Sequence, residues 1–208
     1  FLYWEQFRHD VAERRFREGI GELQNYRKLF SSPVLTDFCA EVEKCQCFLE
    51  AIVSKTEKGK IFAPILIDDL LNNARRRIDD HRYDDASARI YRALELYGQI
   101  IFYEQTKCHN DKVHCDLIPS PIRDEFVRKY ADAQTGLLKL PMTATFQCLK
   151  EMGHEAGQRF FEPERQKKIK NIQFSRNNSI LAHGIKPVPE KQIGDLMVTV
   201  SEFVLFEN

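Results

Sequence analysis

The 208-residue sequence lacks the signatures of several protein classes. Its six cysteines form no Cys-x2-Cys pair, the spacing that many structural zinc sites use. It has no signal peptide and no apolar run long enough to cross a bilayer, so we expect a reduced, cytoplasmic protein. The first residue is Phe1 rather than methionine, and we expect the chain to be a piece of a longer protein.

A strong charge of one sign is also missing. Lys plus Arg and Asp plus Glu each number 31, so the formal net charge is zero. The chain therefore has no overall basic field of the kind that drives tight binding to duplex nucleic acid, although a local patch can still contact a few nucleotides. A Gly-rich phosphate loop and alternating strands and helices are absent, which argues against a Rossmann-like nucleotide-binding domain in these residues.

The residues that are present favour helices. Hydrophobic residues make up 43% of the chain, enough for a sizeable core. They recur with a three-to-four spacing, which predicts an all-α fold of seven or eight helices with no substantial sheet. Asp84 is the predicted N-cap of a return helix. The predicted helices cover 3–30, 34–54, 64–105 as a hairpin with a turn at 81–84, 122–132, 142–152, 162–174 and 189–206.

The strongest candidate site is the stretch 175–184, Ser-Arg-Asn-Asn-Ser-Ile-Leu-Ala-His-Gly. The Arg176 guanidinium can stabilise the charge that develops on phosphorus, and the Asn177 amide can hold a phosphate. The His183 imidazole can move a proton near neutral pH. These groups suit cleavage of RNA, which supplies its own nucleophile in the 2′-hydroxyl. No carboxylate cluster resembling a magnesium site accompanies them, so a metal is expected to be dispensable.

The spacing of Arg176 and His183 leaves two arrangements open. The two residues are seven positions apart, which places them on one helical face but about 10 Å apart along the axis. Either the segment 177–179 is non-helical and shortens the gap, or a second copy of the chain completes the site. A purely structural interpretation is also available, in which 177–179 supplies an N-cap, His183 lies at a helix C-terminus and Gly184 stops the helix.

Two segments resemble one known family. The order Arg-Asn-x5-His-Gly resembles the Arg-x4-6-His signature of HEPN domains, which are helical, metal-independent ribonucleases. The segment 174–184 is similar to the C-terminal region of CRISPR-associated CARF–HEPN effectors, the accessory ribonucleases of type III systems. The hairpin at 64–105, with Tyr-Asp-Asp-Ala at 83–86 and Tyr-Arg-Ala-Leu-Glu at 91–95, resembles the first hairpin of HEPN domains.

The resemblance implies a helical connector over 1–58 and a helical HEPN bundle over 59–208. It also implies a homodimer with a composite cleft that holds Arg176, Asn177 and His183 from each subunit. Such a cleft would cut single-stranded RNA and leave 2′,3′-cyclic phosphate ends, without a cofactor. Activation by cyclic oligoadenylate in antiviral defence would act through a sensor domain that these residues do not include. The alternative is a non-catalytic HEPN module for dimerisation or nucleotide binding.

Further residues are candidates for contact with RNA, namely Asn178, Ser179, Lys170 and Glu95. Glu95 has a simpler interpretation as a solvated glutamate that pairs with a neighbour. The charged stretch 162–174 is either a solvated helix face or a basic approach to the RNA backbone. In the second case the contacting residues would be Arg165, Lys167, Lys168 and Lys170.

A weaker hypothesis concerns metal binding. Cys108, His109, His114 and Cys115 place four soft ligands within eight residues, which suggests a zinc-supported interaction domain. No pair among them has the spacer common in structural sites, and the residues between them indicate a surface loop. His154 is interpreted as a loop histidine.

Overall fold

The computed structural model describes residues 1–30, 32–56, 63–178 and 187–204, with the backbone alone over 171–178. This part of the chain contains ten α-helices and two short 3-10 helices, with isolated β-bridges and no β-strand. The predicted all-α fold is confirmed, with more helices than expected because two short ones were not foreseen. The helices are α1 Leu2–Glu5, α2 His9–Leu29, α3 Pro33–Thr56, α4 Ile65–Asp79, α5 Tyr83–Thr106, α6 Arg123–Tyr130, α7 Met142–Glu151, α8 Glu155–Phe160, α9 Pro163–Asn178 and α10 Glu190–Val204.

The first predicted helix is in fact two. The prediction of one helix over 3–30 was wrong, because the backbone turns at Phe7, which has a φ of 57°. This turn separates α1 from α2 and brings Trp4 against Phe16, with ring centroids 5.8 Å apart, and against Phe48, at 5.9 Å. The tertiary packing of one indole therefore overrides a continuous helical pattern.

The chain divides into two units, Phe1–Ile65 and Leu66–Asn208. In the first unit α2 packs along α3, and the buried residues Trp4, Ala12, Phe16 and Leu49 form its core. The boundary predicted between residues 58 and 59 lies outside the described residues and stays a prediction.

The central helix of the second unit is α5, which packs against α7, α9 and α10. Its apolar face meets a group of buried rings. Phe146 stacks on Phe160 with centroids 4.1 Å apart, and Phe203 lies edge-on to Tyr97 at 5.3 Å. These contacts fix the end of α10 against the middle of α5.

The residue at the N-cap of α5, in the turn after α4, differs from the predicted one. The backbone N–H of Arg82 donates to the carbonyl of Arg77 at 2.7 Å, after His81 adopts a φ of 57°. This closure starts α5 at Tyr83, with Arg82 at the N-cap position. The prediction of Asp84 as N-cap was therefore wrong, since Asp84 lies in the first turn of the helix.

The crossing of α7 and α8 depends on a glycine. A Cβ built on Gly157 would lie 2.2 Å from the backbone nitrogen of Lys150. The obstacle is backbone, which cannot move aside as a flexible side chain can. Gly157 therefore permits the close approach of these two helices.

Candidate active site at the end of α9

The last turn of α9 carries the first half of the motif. Arg176, Asn177 and Asn178 are its final residues, so their backbone is helical. This excludes Asn177 and Asn178 as the N-cap of a new helix. Ser179 and His183, together with the expected helix stop at Gly184, lie outside the described residues. Their predicted roles, and the joining of Arg176 with His183, stay predictions.

The direction of three helices shows which end of the bundle the motif occupies. The Tyr83 hydroxyl interacts with the Glu190 carboxylate, and the Tyr97 ring contacts the Phe203 ring. These contacts are about 20 Å apart along each helix, so α5 and α10 run in the same direction. The Arg165 guanidinium lies 5.1 Å from the centre of the Phe203 ring, so α9 starts beside the end of α10. Because α9 also packs along α5 and α10, its last turn lies at the end where those two helices begin.

Three polar side chains lie together at this same end. Nδ1 of His81 is 2.9 Å from the Tyr83 hydroxyl, and the Glu190 carboxylate interacts with the same hydroxyl. Burial and the interaction with Glu190 raise the pKa of Tyr83. No local sequence pattern predicts this contact, since Tyr83 and Glu190 are more than a hundred residues apart.

An arginine cluster surrounds Asp85 in the first turn of α5. Its carboxylate is 2.8 Å from an Arg82 nitrogen and 3.3 Å from Nε of Arg77, and it also accepts from Arg89. Nε of Arg89 donates to the Asn73 amide oxygen at 2.5 Å. Burial lowers the pKa of Arg77, and the charges of Arg82 and Arg89 lower it further. Arg77 also lies 3.9 Å from the Asp80 carboxylate, so the three guanidiniums share two carboxylates at this end of the bundle.

The basic residues of α9 do not all face solvent. Arg165 donates to the carbonyl of Arg159 at 2.9 Å and pairs with Glu162 at 2.9 Å. Arg165 therefore has partners inside its own unit, and its approach to RNA stays a prediction. Lys170 is exposed, as are Lys167 and Lys168.

Glu95 lies on α5 in an ion pair. Its carboxylate accepts from Arg92 at 2.8 Å, and the same Arg92 nitrogen donates to Gln99 at 3.0 Å. Glu95 is twelve residues beyond Tyr83, which is about 18 Å along the helix. The structure thus shows a neighbouring partner for Glu95, and its contact with RNA stays a prediction.

The four residues of the zinc hypothesis do not form one cluster in the structure. One ligand atom each from His114, Cys115 and Asp116 lie within 4.8 Å of one another. The Cys108 thiol instead contacts the carbonyl of Lys112 at 3.3 Å, and the His109 ring packs on Tyr103. The group of three is exposed or half-buried at a 3-10 turn. It does not correspond to the predicted set of two cysteines and two histidines.

His154 has a structural role. Its Nδ1 accepts from the backbone N–H of Ala156 at 3.1 Å, which caps the start of α8. The interpretation of His154 as a loop histidine agrees with its position in the turn between α7 and α8. Across the described ranges, no helix combines the length and the apolar character that crossing a membrane requires.

The all-α bundle and the Arg-Asn-x5-His order together define a HEPN domain, a class whose members are generally ribonucleases. A protein-family model for the Csm6 HEPN domain matches residues 55–207, nearly three quarters of the chain. The chain therefore belongs to this family of CRISPR-associated HEPN ribonucleases. No curated protein matches the chain.

Proposed function

We propose that this chain is a metal-independent endoribonuclease that cleaves single-stranded RNA. The observation that carries the proposal is the family match over residues 55–207, because the matched range contains the complete Arg176, Asn177 and His183 set. A copy of the fold that served only as a structural module would not need these three groups together.

The reaction follows from the chemistry of these groups. His183 takes the proton of the 2′-hydroxyl, and the 2′-oxygen attacks the adjacent phosphorus. The bond from phosphorus to the 5′-oxygen breaks, and the 5′-oxygen receives a proton as it leaves. The products are a 2′,3′-cyclic phosphate and a 5′-hydroxyl. Arg176 stabilises the charge on the phosphorane, and Asn177 orients the phosphate or the imidazole.

Two subunits would complete the site. On a continuous helix the spacing would separate Arg176 from His183 by about 10 Å, whereas a two-fold axis near 174–184 would bring both pairs into one cleft. Asn178, Ser179, Lys170 and Glu95 would contact the bound RNA. We further propose that the domain acts in type III CRISPR antiviral defence, with activation by cyclic oligoadenylate on a separate sensor domain.

The test is cleavage of single-stranded RNA with an excess of EDTA. We expect cyclic phosphate ends, no cleavage of DNA, and a loss of at least about 100-fold on His183→Ala. Arg176→Lys should also lose most activity, because an ammonium lacks the planar two-donor grip of a guanidinium. The matched control is His114→Ala, which removes an exposed imidazole outside the motif.

The control outcomes separate the alternatives. Full activity of His183→Ala, or equal cutting of DNA, excludes the mechanism. An inactive wild-type protein that still binds nucleotides or sediments as a dimer would favour the non-catalytic HEPN module instead.

A further inference from the structure

A groove in the second unit runs along α10 on the side that faces Lys168. Its volume is about 610 Å³, and its walls extend from Lys168 and Thr199 to Pro189. Since α9 and α10 run in opposite directions, the Pro189 end is level with the last turn of α9. The groove therefore leads from the candidate active site toward the middle of α9.

The charges on the groove favour an anionic occupant. Lys168 and Lys191 line it, and neither has an ion-pair partner among the residues whose side chains are described. Asp195 is the acidic residue of the lining. The neighbouring Glu190 carboxylate keeps its negative charge beside the neutral Tyr83 phenol and is not part of this lining. The described lining thus has one more positive than negative side chain.

The remaining surface of the groove suits a sugar or a base. Pro189 and Val198, which is 57% exposed, give it apolar surface above the buried Leu196. The volume falls within the range of about 300–1,000 Å³ that small-molecule sites occupy. Single-stranded nucleic acid presents this combination of regularly spaced anions and flat apolar groups.

We propose that this groove holds the segment of single-stranded RNA that flanks the scissile phosphate. Lys168 and Lys191 contact backbone phosphates, and the apolar surface lies under a ribose or base. The inference rests on the proposed function, because the groove is assigned to the substrate of that same site. It explains how α9 carries both a catalytic arginine at its end and a substrate contact two turns earlier.

The test measures how salt affects binding of a short 2′-O-methyl RNA, which the enzyme cannot cut. The double variant Lys168→Ala/Lys191→Ala should bind more weakly. The negative slope of log K against log salt should become shallower by about 1.4, which is about 0.7 for each lost phosphate contact. It should also raise KM for cleavable RNA. The control Lys112→Ala/Lys139→Ala removes two exposed lysines outside the groove and should leave the slope unchanged.

Two outcomes overturn the inference. One is a groove variant whose salt slope equals that of the wild type, or a control pair that loses as much. The other outcome would show that a second copy of the chain occupies the groove. In that case Val198→Ser changes the sedimentation of the protein and leaves RNA binding intact, so the groove is an interface between copies. We expect the reverse, with unchanged sedimentation and weaker RNA binding.

Failure of the groove and failure of the proposed function are distinguishable. If the wild type cuts RNA, His183→Ala does not, and the groove variant binds with the wild-type slope, only the groove assignment is wrong. If His183→Ala retains full cleavage, the proposed function fails whatever the groove variant does.

Discussion

The hairpins α2–α3 and α4–α5 each contain a carboxylate near the interface of their two helices, but the surroundings differ. Glu13 on α2 accepts from the Gln46 amide at 2.7 Å and from Arg17, whose side chain is 68% exposed. Asp85 on α5 meets three guanidiniums, and the side chain of one of them, Arg77, is only 9% exposed.

This difference shows that the cost of losing a carboxylate depends on what is left behind. Without the charge of Glu13, Arg17 can turn to water. Without the charge of Asp85, Arg77 remains buried close to two other arginines. The second loss leaves Arg77 in a poorly solvated position with the more distant Asp80 carboxylate, at 3.9 Å, in place of Asp85, which is the more expensive case.

The apolar core of the first unit is also smaller than that of the second. The first unit buries a small cluster around Trp4 and Phe16 and exposes several large apolar side chains near the α2–α3 turn. The second unit surrounds α5 with other helices and buries Phe146, Phe160 and Phe203 almost completely. We therefore expect the first unit to open more readily. The exposed residues near the turn are Tyr26, Leu29, Phe30, Val34 and Phe38.

The charged cluster is tested first, with Asp85→Asn. The amide keeps the shape of the carboxylate but removes its charge, so Arg77, Arg82 and Arg89 lose their common partner. We expect the free energy of unfolding of the second unit to fall by about 3 kcal/mol. Denaturant titration measures it, and a loss below about 1 kcal/mol would show that the cluster is hydrated well enough to tolerate the missing charge.

A matched pair of leucines tests the two cores next. Leu49 on α3 and Leu94 on α5 are both 0% exposed. We expect Leu94→Ala to cost about 4 kcal/mol and Leu49→Ala about 2 kcal/mol, because the walls of a two-helix core can collapse into a cavity more easily. Hydrogen exchange assigns each loss to its unit. Equal losses would contradict the comparison.

A smaller effect is expected for Glu13→Gln. The amide oxygen can still accept from Gln46, and the released Arg17 is exposed. The free energy of unfolding of the first unit should fall by no more than about 1 kcal/mol. Measured beside Asp85→Asn under identical conditions, a similar loss for both variants would remove the distinction between the two carboxylates.

The last test compares the reactivity of three thiols in the unmutated protein, so it perturbs the structure least. Cys39 in the first unit and Cys148 in the second are both buried, and Cys47 is exposed. Burial, with a smaller effect of Glu151, raises the pKa of Cys148 to about 12, so its thiol stays protonated at pH 8. In alkylation followed by peptide mass spectrometry, Cys47 should react first, Cys39 next and Cys148 last, since buried thiols react on opening of their unit. Reaction of Cys148 before Cys39 would reverse the proposed order of stability.

Raising the pH should weaken the second unit through the same thiol. Below its ordinary value of 9.0 the thiol is neutral in both states, and its contribution to stability is complete. Above that value the unfolded chain loses the proton first. Stability should then fall as the pH rises toward the folded pKa of about 12.

Local patterns predicted most of the helices. The predicted ranges 34–54, 142–152 and 189–206 agree within a few residues with α3, α7 and α10, because each has one apolar face with the helical period. The failures have long-range causes. The break at Phe7 depends on where Trp4 finds Phe16 and Phe48, and no neighbouring residue marks it.

The candidate site was predictable only in its motif. Arg176 and Asn177 could be recognised because they are adjacent and precede His183 at a characteristic spacing. The contact of Tyr83 with Glu190 depends on three helices meeting at one end of the bundle. A single sequence carries no information on which distant positions are in contact. The residues around the motif could therefore be identified only from the structure.

The close approach at Gly157 offers a way to sort distant relatives. A side chain there would collide with the backbone of the preceding helix, so every chain that builds this crossing in the same way must have glycine at that point. A sequence with the arginine and histidine motif but a larger residue there should join these helices differently. The motif identifies shared chemistry, whereas this glycine identifies a shared scaffold.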